Sequence, residues 1–153
     1  MASTDIYNHI QVNESLSTGG QPTAEQVTAL AAEGFTTVVN LATFDPDRSL
    51  PDEAGLVRSL GMTYHAIPVD WNNPTETDFA AFERVMLQLS EGRALLHCAA
   101  NFRVTAFFSL FALKHLGWSD AQAEAFRAII WKGSDYPVWR AFISRMQAQI
   151  VAR

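Results

Sequence analysis

The sequence predicts an α/β fold in which a central, mainly parallel sheet of about four to five strands is flanked by helices. Three observations carry this. Short β-branched or apolar runs alternate with amphipathic helical stretches along most of the chain. The turns between them hold glycine, proline and helix-capping residues. The 153 residues, 48% of them hydrophobic, suffice to bury the core of one domain spanning 1–153.

The elements follow in order. His9-Ile10-Gln11-Val12-Asn13 alternates weakly and leads to Gly19-Gly20-Gln21-Pro22, the pattern of a short edge strand or hairpin entering a turn. Thr23 and Gln26 have capping-box form, and Val27, Leu30 and Ala31 share a helical face that Gly34 ends. Phe35 to Leu41 is rich in β-branched residues and predicts a buried strand. Pro51, Asp52 and Glu53 suit the first turn of a helix that stops at Gly61. Met62 to Val69 predicts the next strand, with Pro68 putting its end at an edge or a bulge.

Asn73 and Pro74 suit the cap and first position of a third helix. Its Phe79, Phe82, Met86 and Leu89 face the core, and Gly92 ends it. Ala94 to His97 predicts a strand. Residues 103–116 form a helix apolar over much of its surface, hence central and buried. Ser119 and Gln122 cap a helix bearing Ala123, Phe126, Ile129 and Ile130, expected to stop at Gly133. Pro137 starts a last helix to about residue 151.

Composition excludes several classes. A net charge of −5 argues against general binding to nucleic acid or to an anionic membrane, so an anionic ligand must be drawn by a local site. No apolar run is long enough to span a bilayer. One cysteine rules out an internal disulfide and a cysteine-rich metal site, and it leaves no resolving thiol for dithiol redox chemistry. No two histidines stand at metal-ligand spacing on one predicted face, so neither metal nor other cofactor is expected. The first residues have no basic start and no apolar core. A cytoplasmic location is expected, or a periplasmic one if a leader has been removed.

The chemistry concentrates at Leu95-Leu96-His97-Cys98-Ala99-Ala100-Asn101-Phe102-Arg103-Val104-Thr105. A strand that stops, a short loop and a helix N-terminus make a cradle for an anion such as phosphate or sulfate, because backbone N–H groups and the helix dipole converge there. A cysteine at the mouth of that cradle is favoured as a nucleophile. Asp70 also follows a strand directly, and ligands of parallel sheets sit at the carboxyl ends of the strands, so Asp70 and Cys98 can converge. On their own these features are also met by a buried small cysteine and a turn-capping aspartate.

His97-Cys98 with Arg103 and Thr105 at a helix start resembles the cysteine-dependent phosphatases, and best the bacterial β-lactamase-hydrolase-like, dual-specificity-like group. Gln21-Pro22, Val39-Asn40-Leu41, Glu53, Gly61-Met62, Tyr64 and Ile67-Pro68-Val69 are similar to that group's scaffold residues. The resemblance implies a protein-tyrosine-phosphatase-like fold and a loop of form H-C-x-x-G-x-x-R-[S/T]. It implies that Cys98 attacks phosphorus, that His97 supports the thiolate, that Ala99, Ala100, Asn101 and Phe102 form the phosphate loop, that Thr105 assists the leaving thiolate, and that Asp70 is the general acid. The implied substrate is a phosphorylated protein or a small phosphate ester. Asn101 falls at the glycine position and is among the non-glycine residues best able to take a positive φ.

The arginine departs from this pattern. Four residues, Ala99 to Phe102, separate Cys98 from Arg103, and Val104 occupies the pattern's arginine position. Either the loop is one residue shorter with Arg103 on the anion, or Arg103 reaches from a neighbouring position or points away. A loop of this size also resembles that of rhodanese-like sulfurtransferases, and a valine at position 104 fits a non-catalytic anion-binding module. Asp45, Asp47 and Asp78 are alternative carboxylates. Trp71 and Phe102 are placed to wall the pocket. Trp118, Trp131, Tyr136 and Trp139 are expected to pack between the last helices.

Overall fold

The computed structural model describes residues 2–89, 92–132 and 135–151. Five strands form one sheet in the order β1-β2-β5-β3-β4: β1 Ile10–Asn13, β2 Leu16–Gly19, β3 Phe35–Asn40, β4 Thr63–Ala66 and β5 Arg93–His97. β1 and β2 make an antiparallel hairpin, while β2, β5, β3 and β4 run parallel. The expected edge segment is therefore a hairpin whose second strand lies beside β5. Leu-Ser-Thr-Gly offers one large apolar side chain, too weak a pattern to mark a strand in sequence, yet all four residues are buried.

Six helices cover the sheet: α1 Ala24–Ala32, α2 Glu53–Ser59, α3 Glu76–Gln88, α4 Phe102–His115, α5 Asp120–Ala128 and α6 Pro137–Val151. Side chains alternate across the central strands. Val38 and Leu95 pack with Val27, Leu30 and Val57 under α1 and α2. Val39 and Leu96 face the larger core with Phe82, Phe107, Leu110 and Phe142 of α3, α4 and α6. α4 is the central helix expected, with Arg103 through Ala112 all buried. No helix among the described residues is long and apolar enough to cross a membrane.

Capping chemistry sets the helix starts. Thr23 with Gln26 and Ser119 with Gln122 form the expected capping boxes. The third helix differs: it begins at Glu76 with Thr75 as cap, because the Thr75 hydroxyl and the Asp78 carboxylate bond each other's backbone N–H groups. This outcompetes Asn73, and Pro74 is left buried ahead of the cap. α5 ends at Ala128, with Ile129 exposed beyond it. Gly133, the expected stop, lies outside the described residues. β4 is shorter than expected, but Ile67 and Val69 still donate to Asn40 and Leu41, and this guides the chain to Asp70.

Candidate active site

β5 delivers Cys98 to the carboxyl end of the sheet, between the ends of β2 and β3. The Cys98 N–H donates to Gly19 O (3.3 Å) and Leu41 N–H donates to His97 O (2.8 Å). The following loop is held from outside. Gln21 N–H donates to Ala99 O (3.0 Å) and Asn8 Nδ2 donates to Ala100 O (3.0 Å). Because each peptide is planar and trans, fixing the Ala99 carbonyl outward turns the Ala100 N–H inward. Gly20 permits this approach: a Cβ there would lie 2.7 Å from Ala99 O. The N–H groups of Ala99, Ala100, Phe102 and Arg103 donate to no protein acceptor among the described residues.

Asn101 takes φ 68°, ψ 13°, the left-handed conformation expected of it, and is the residue before α4. Its Nδ2 donates to Asn8 O (2.8 Å) and Thr18 Oγ1 (2.9 Å). Asn8 itself has φ 53°, so two residues in a conformation costly for side-chain-bearing residues brace one another. The N-terminal segment thus fixes the loop where a glycine would have needed no support.

Behind the cysteine lies a buried polar chain. The fully buried His97 places Nε2 2.6 Å from Glu53 Oε2 and Nδ1 3.3 Å from Cys98 O. Glu53 Oε2 and Cys98 O are both acceptors. Gln21 Nε2 donates to Glu53 Oε1 (2.8 Å), and Asn40 Nδ2 donates to the Tyr64 hydroxyl (3.0 Å), which also meets Glu53. Burial raises the Glu53 carboxyl's affinity for a proton, but His97, Gln21 and Tyr64 outweigh it and hold the group below its ordinary range. Gln21 and Tyr64 thus converge on the one carboxylate that holds the His97 imidazole.

That depressed carboxyl predicts an acid-sensitive fold. Its stabilisation is present above the unfolded-state value of about 4.3 and is lost as pH falls through the lower folded-state value. Glu53→Ala leaves His97 without its anion and is expected to cost about 3–5 kcal/mol at pH 7. In urea unfolding, the gap between wild type and Glu53→Ala narrows below about pH 4.3. A pH-independent gap would show that the pair is not ionic.

Cys98 lies at the base of a cavity of about 320 Å³ bordered also by Gln21, Asp45, Arg48, Trp71, Ala99, Ala100, Phe102 and Arg103. Arg103 is 7% exposed and donates from Nη1 to Val69 O (3.0 Å). Val104 is fully buried in the core. Arg103 thus borders the cavity with Nη1 held at Val69 O, while position 104 belongs to the core. Thr105 is placed differently from expectation. Its hydroxyl bonds Asn101 O (2.8 Å) and accepts from Trp131 Nε1 (2.9 Å), and it makes no hydrogen bond to the sulfur.

Asp70 does not border this cavity. It is exposed, and its Oδ1 accepts from Asn72 N–H (2.8 Å) in a turn, although Trp71 borders the cavity and Val69 O holds Arg103. Asp45 does border it, with Oδ2 3.9 Å from Arg48 Nε. Asp78 caps α3.

The aromatic wall is larger than the sequence suggested. Phe102 stacks on Trp131 at 4.8 Å, and Trp71 meets Phe102 at 5.9 Å, Trp131 at 5.6 Å and Trp139 at 5.3 Å. Trp139 Nε1 donates to Trp71 O (2.8 Å), so the C-terminal helix reaches the loop that follows β4. Trp118 alone of that group packs elsewhere, against Phe108 and Phe126. The available signal was the crowding of Trp131, Tyr136 and Trp139 into nine residues beside an otherwise polar stretch, which gives no direction in space.

A parallel sheet that ends in a cysteine loop at the N-terminus of a buried helix defines the protein-tyrosine-phosphatase-like fold. P. aeruginosa TpbA, in a substituted form solved in complex with pTyr, shares it, with a TM-score of 0.71 and 16% identity over 94% of this chain and 90% of that one. A DUF442 protein of Shewanella putrefaciens CN-32, described as a candidate phosphatase, matches with a TM-score of 0.85 and 32% identity over 94% of this chain and 91% of its own. The chain belongs to that DUF442 family of candidate phosphatases. It is also 30% identical over 107 residues to the β-lactamase hydrolase-like protein of Xylella fastidiosa (strain Temecula1), covering 66% of this chain and 24% of that protein. It thus spans about a quarter of the length of such curated relatives. No family model matches the sequence.

Proposed function

We propose that the protein hydrolyses phosphate monoesters, on a phosphorylated protein or a small molecule, through a phosphocysteine. The observation that carries this is that Cys98 and Arg103 border one cavity. In the first step Cys98 Sγ bonds to phosphorus while the bond to the ester oxygen breaks, and the leaving oxygen takes a proton from Asp70. In the second step water attacks phosphorus, gives its proton back to the Asp70 carboxylate, and the S–P bond breaks to regenerate the thiolate. Arg103 and the open loop amides hold the three non-bridging oxygens, and the His97–Glu53 pair fixes the carbonyl of the nucleophile.

Asp70 needs only to leave its turn with Asn72, since Val69 and Trp71 on either side already belong to the site. Turnover of para-nitrophenyl phosphate by the wild type tests the reading; none would overturn it. Asp70→Asn is expected to lower kcat by about 10²–10³-fold on phenyl phosphate, with a smaller loss on para-nitrophenyl phosphate, whose leaving phenol is acidic. If Asp45→Asn shows that loss instead, the acid is the carboxylate already at the cavity.

The four-residue spacing between Cys98 and Arg103 supports a second reading, sulfur transfer through a Cys98 persulfide. Thiosulfate:cyanide turnover together with a persulfide mass shift on Cys98, without phosphatase turnover, would establish it.

A further inference from the structure

We propose that the cavity between α5 and α6 is a second anion-binding site, one that takes a small molecule bearing a phosphate or carboxylate group. The chain is acidic overall, at −5, with 11 lysines and arginines, yet Arg127, Lys132 and Arg140 all border this one cavity of about 420 Å³. Arg127 carries the argument. It is 6% exposed, and its one hydrogen bond runs from Nη1 to the Ser109 hydroxyl (2.8 Å). No carboxylate among the described residues lies within ion-pairing distance of it. Burial lowers its affinity for a proton, and the more distant Glu124 and Asp120 only partly offset this.

A guanidinium taken out of water is costly unless an anion meets it. Here the protein supplies a neutral hydroxyl. The remaining nitrogens of the fork donate to no acceptor among the described residues, and Arg127 borders the cavity. A fork fixed at one nitrogen suits two oxygens of one phosphate or carboxylate. Exposed Lys132 adds positive charge at the rim, and Ser144 and Gln147 add hydrogen-bonding groups. Glu124 is the one carboxylate among the lining residues.

The site also touches the cysteine loop. Trp131 forms part of its wall, while the same indole donates to Thr105 and stacks on Phe102. Occupancy is therefore expected to change tryptophan emission.

Inorganic phosphate, pyrophosphate and citrate are titrated calorimetrically into the full chain at constant ionic strength. The Arg103→Met protein separates this site from the Cys98 cavity: it is expected to retain a 1:1 binding step and the emission change. Within that background, Lys132→Glu and Arg127→Gln should each weaken the step by about tenfold or more. Lys132 is exposed, so its variant folds even where Arg127→Gln does not. Citrate binding without phosphate binding would assign a carboxylate ligand, and the reverse a phosphate. No binding step in Arg103→Met, or one unchanged by Lys132→Glu, would overturn the proposal whatever becomes of the phosphatase reading.

Discussion

Cys98→Ser is expected to turn over para-nitrophenyl phosphate at least about 10⁴-fold more slowly than the wild type, while still binding phosphate in the same cavity. The size of the loss follows from chemistry. A hydroxyl in this place is a far weaker nucleophile than a thiolate, and the chain has no other cysteine to substitute. Binding is expected to survive because, in the proposed mechanism, the loop amides and Arg103 rather than the sulfur supply the donors. The exchange of sulfur for oxygen leaves little room for a folding explanation. Steady-state rates check the first half, and calorimetric titration with phosphate checks the second. A Cys98→Ser protein within tenfold of wild type would place the nucleophile elsewhere, and loss of phosphate binding would mean that the sulfur shapes the loop.

Much of this site was legible in sequence because several of its determinants are local. A positive φ at Asn101 follows from a strand-to-helix turn that needs one residue in the left-handed region. The capping boxes at Thr23 and Ser119 are contained within four residues each. Gln21, Asn40, Glu53 and Tyr64 stood out only as scattered scaffold residues. The structure gives their physical reason, one buried hydrogen-bonded chain ending on His97. What failed was tertiary. β2 has no pattern of its own and is a strand because β5 accepts it. Trp131, in the connection after α5, reaches Phe102, and Trp139, on α6, reaches Trp71, contacts that no spacing encodes. Asp70 has the expected place in the chain, but its carboxylate orientation is set by a turn with Asn72.

Arg103→Lys is expected to lower kcat/KM by about 10²–10³-fold with little change in stability. Lysine keeps the charge and can still reach Val69 O, so the buried contact at that carbonyl is preserved in kind. It lacks the planar fork that holds two oxygens of a phosphoryl group as the sulfur and the leaving oxygen move into line. The loss should fall mainly on kcat, since the oxygens draw closest to the fork in the transition state. A retained urea midpoint separates this from misfolding. The neighbouring position supplies the control. In the exchange Arg103→Val with Val104→Arg the arginine stands at the longer spacing of the phosphatase loop pattern, yet side chain 104 projects into the core with no exposure. That protein should regain no activity and should be destabilised by a buried, unpaired guanidinium. Recovery of turnover in the exchanged protein would mean that the loop can lengthen by unwinding the first turn of α4.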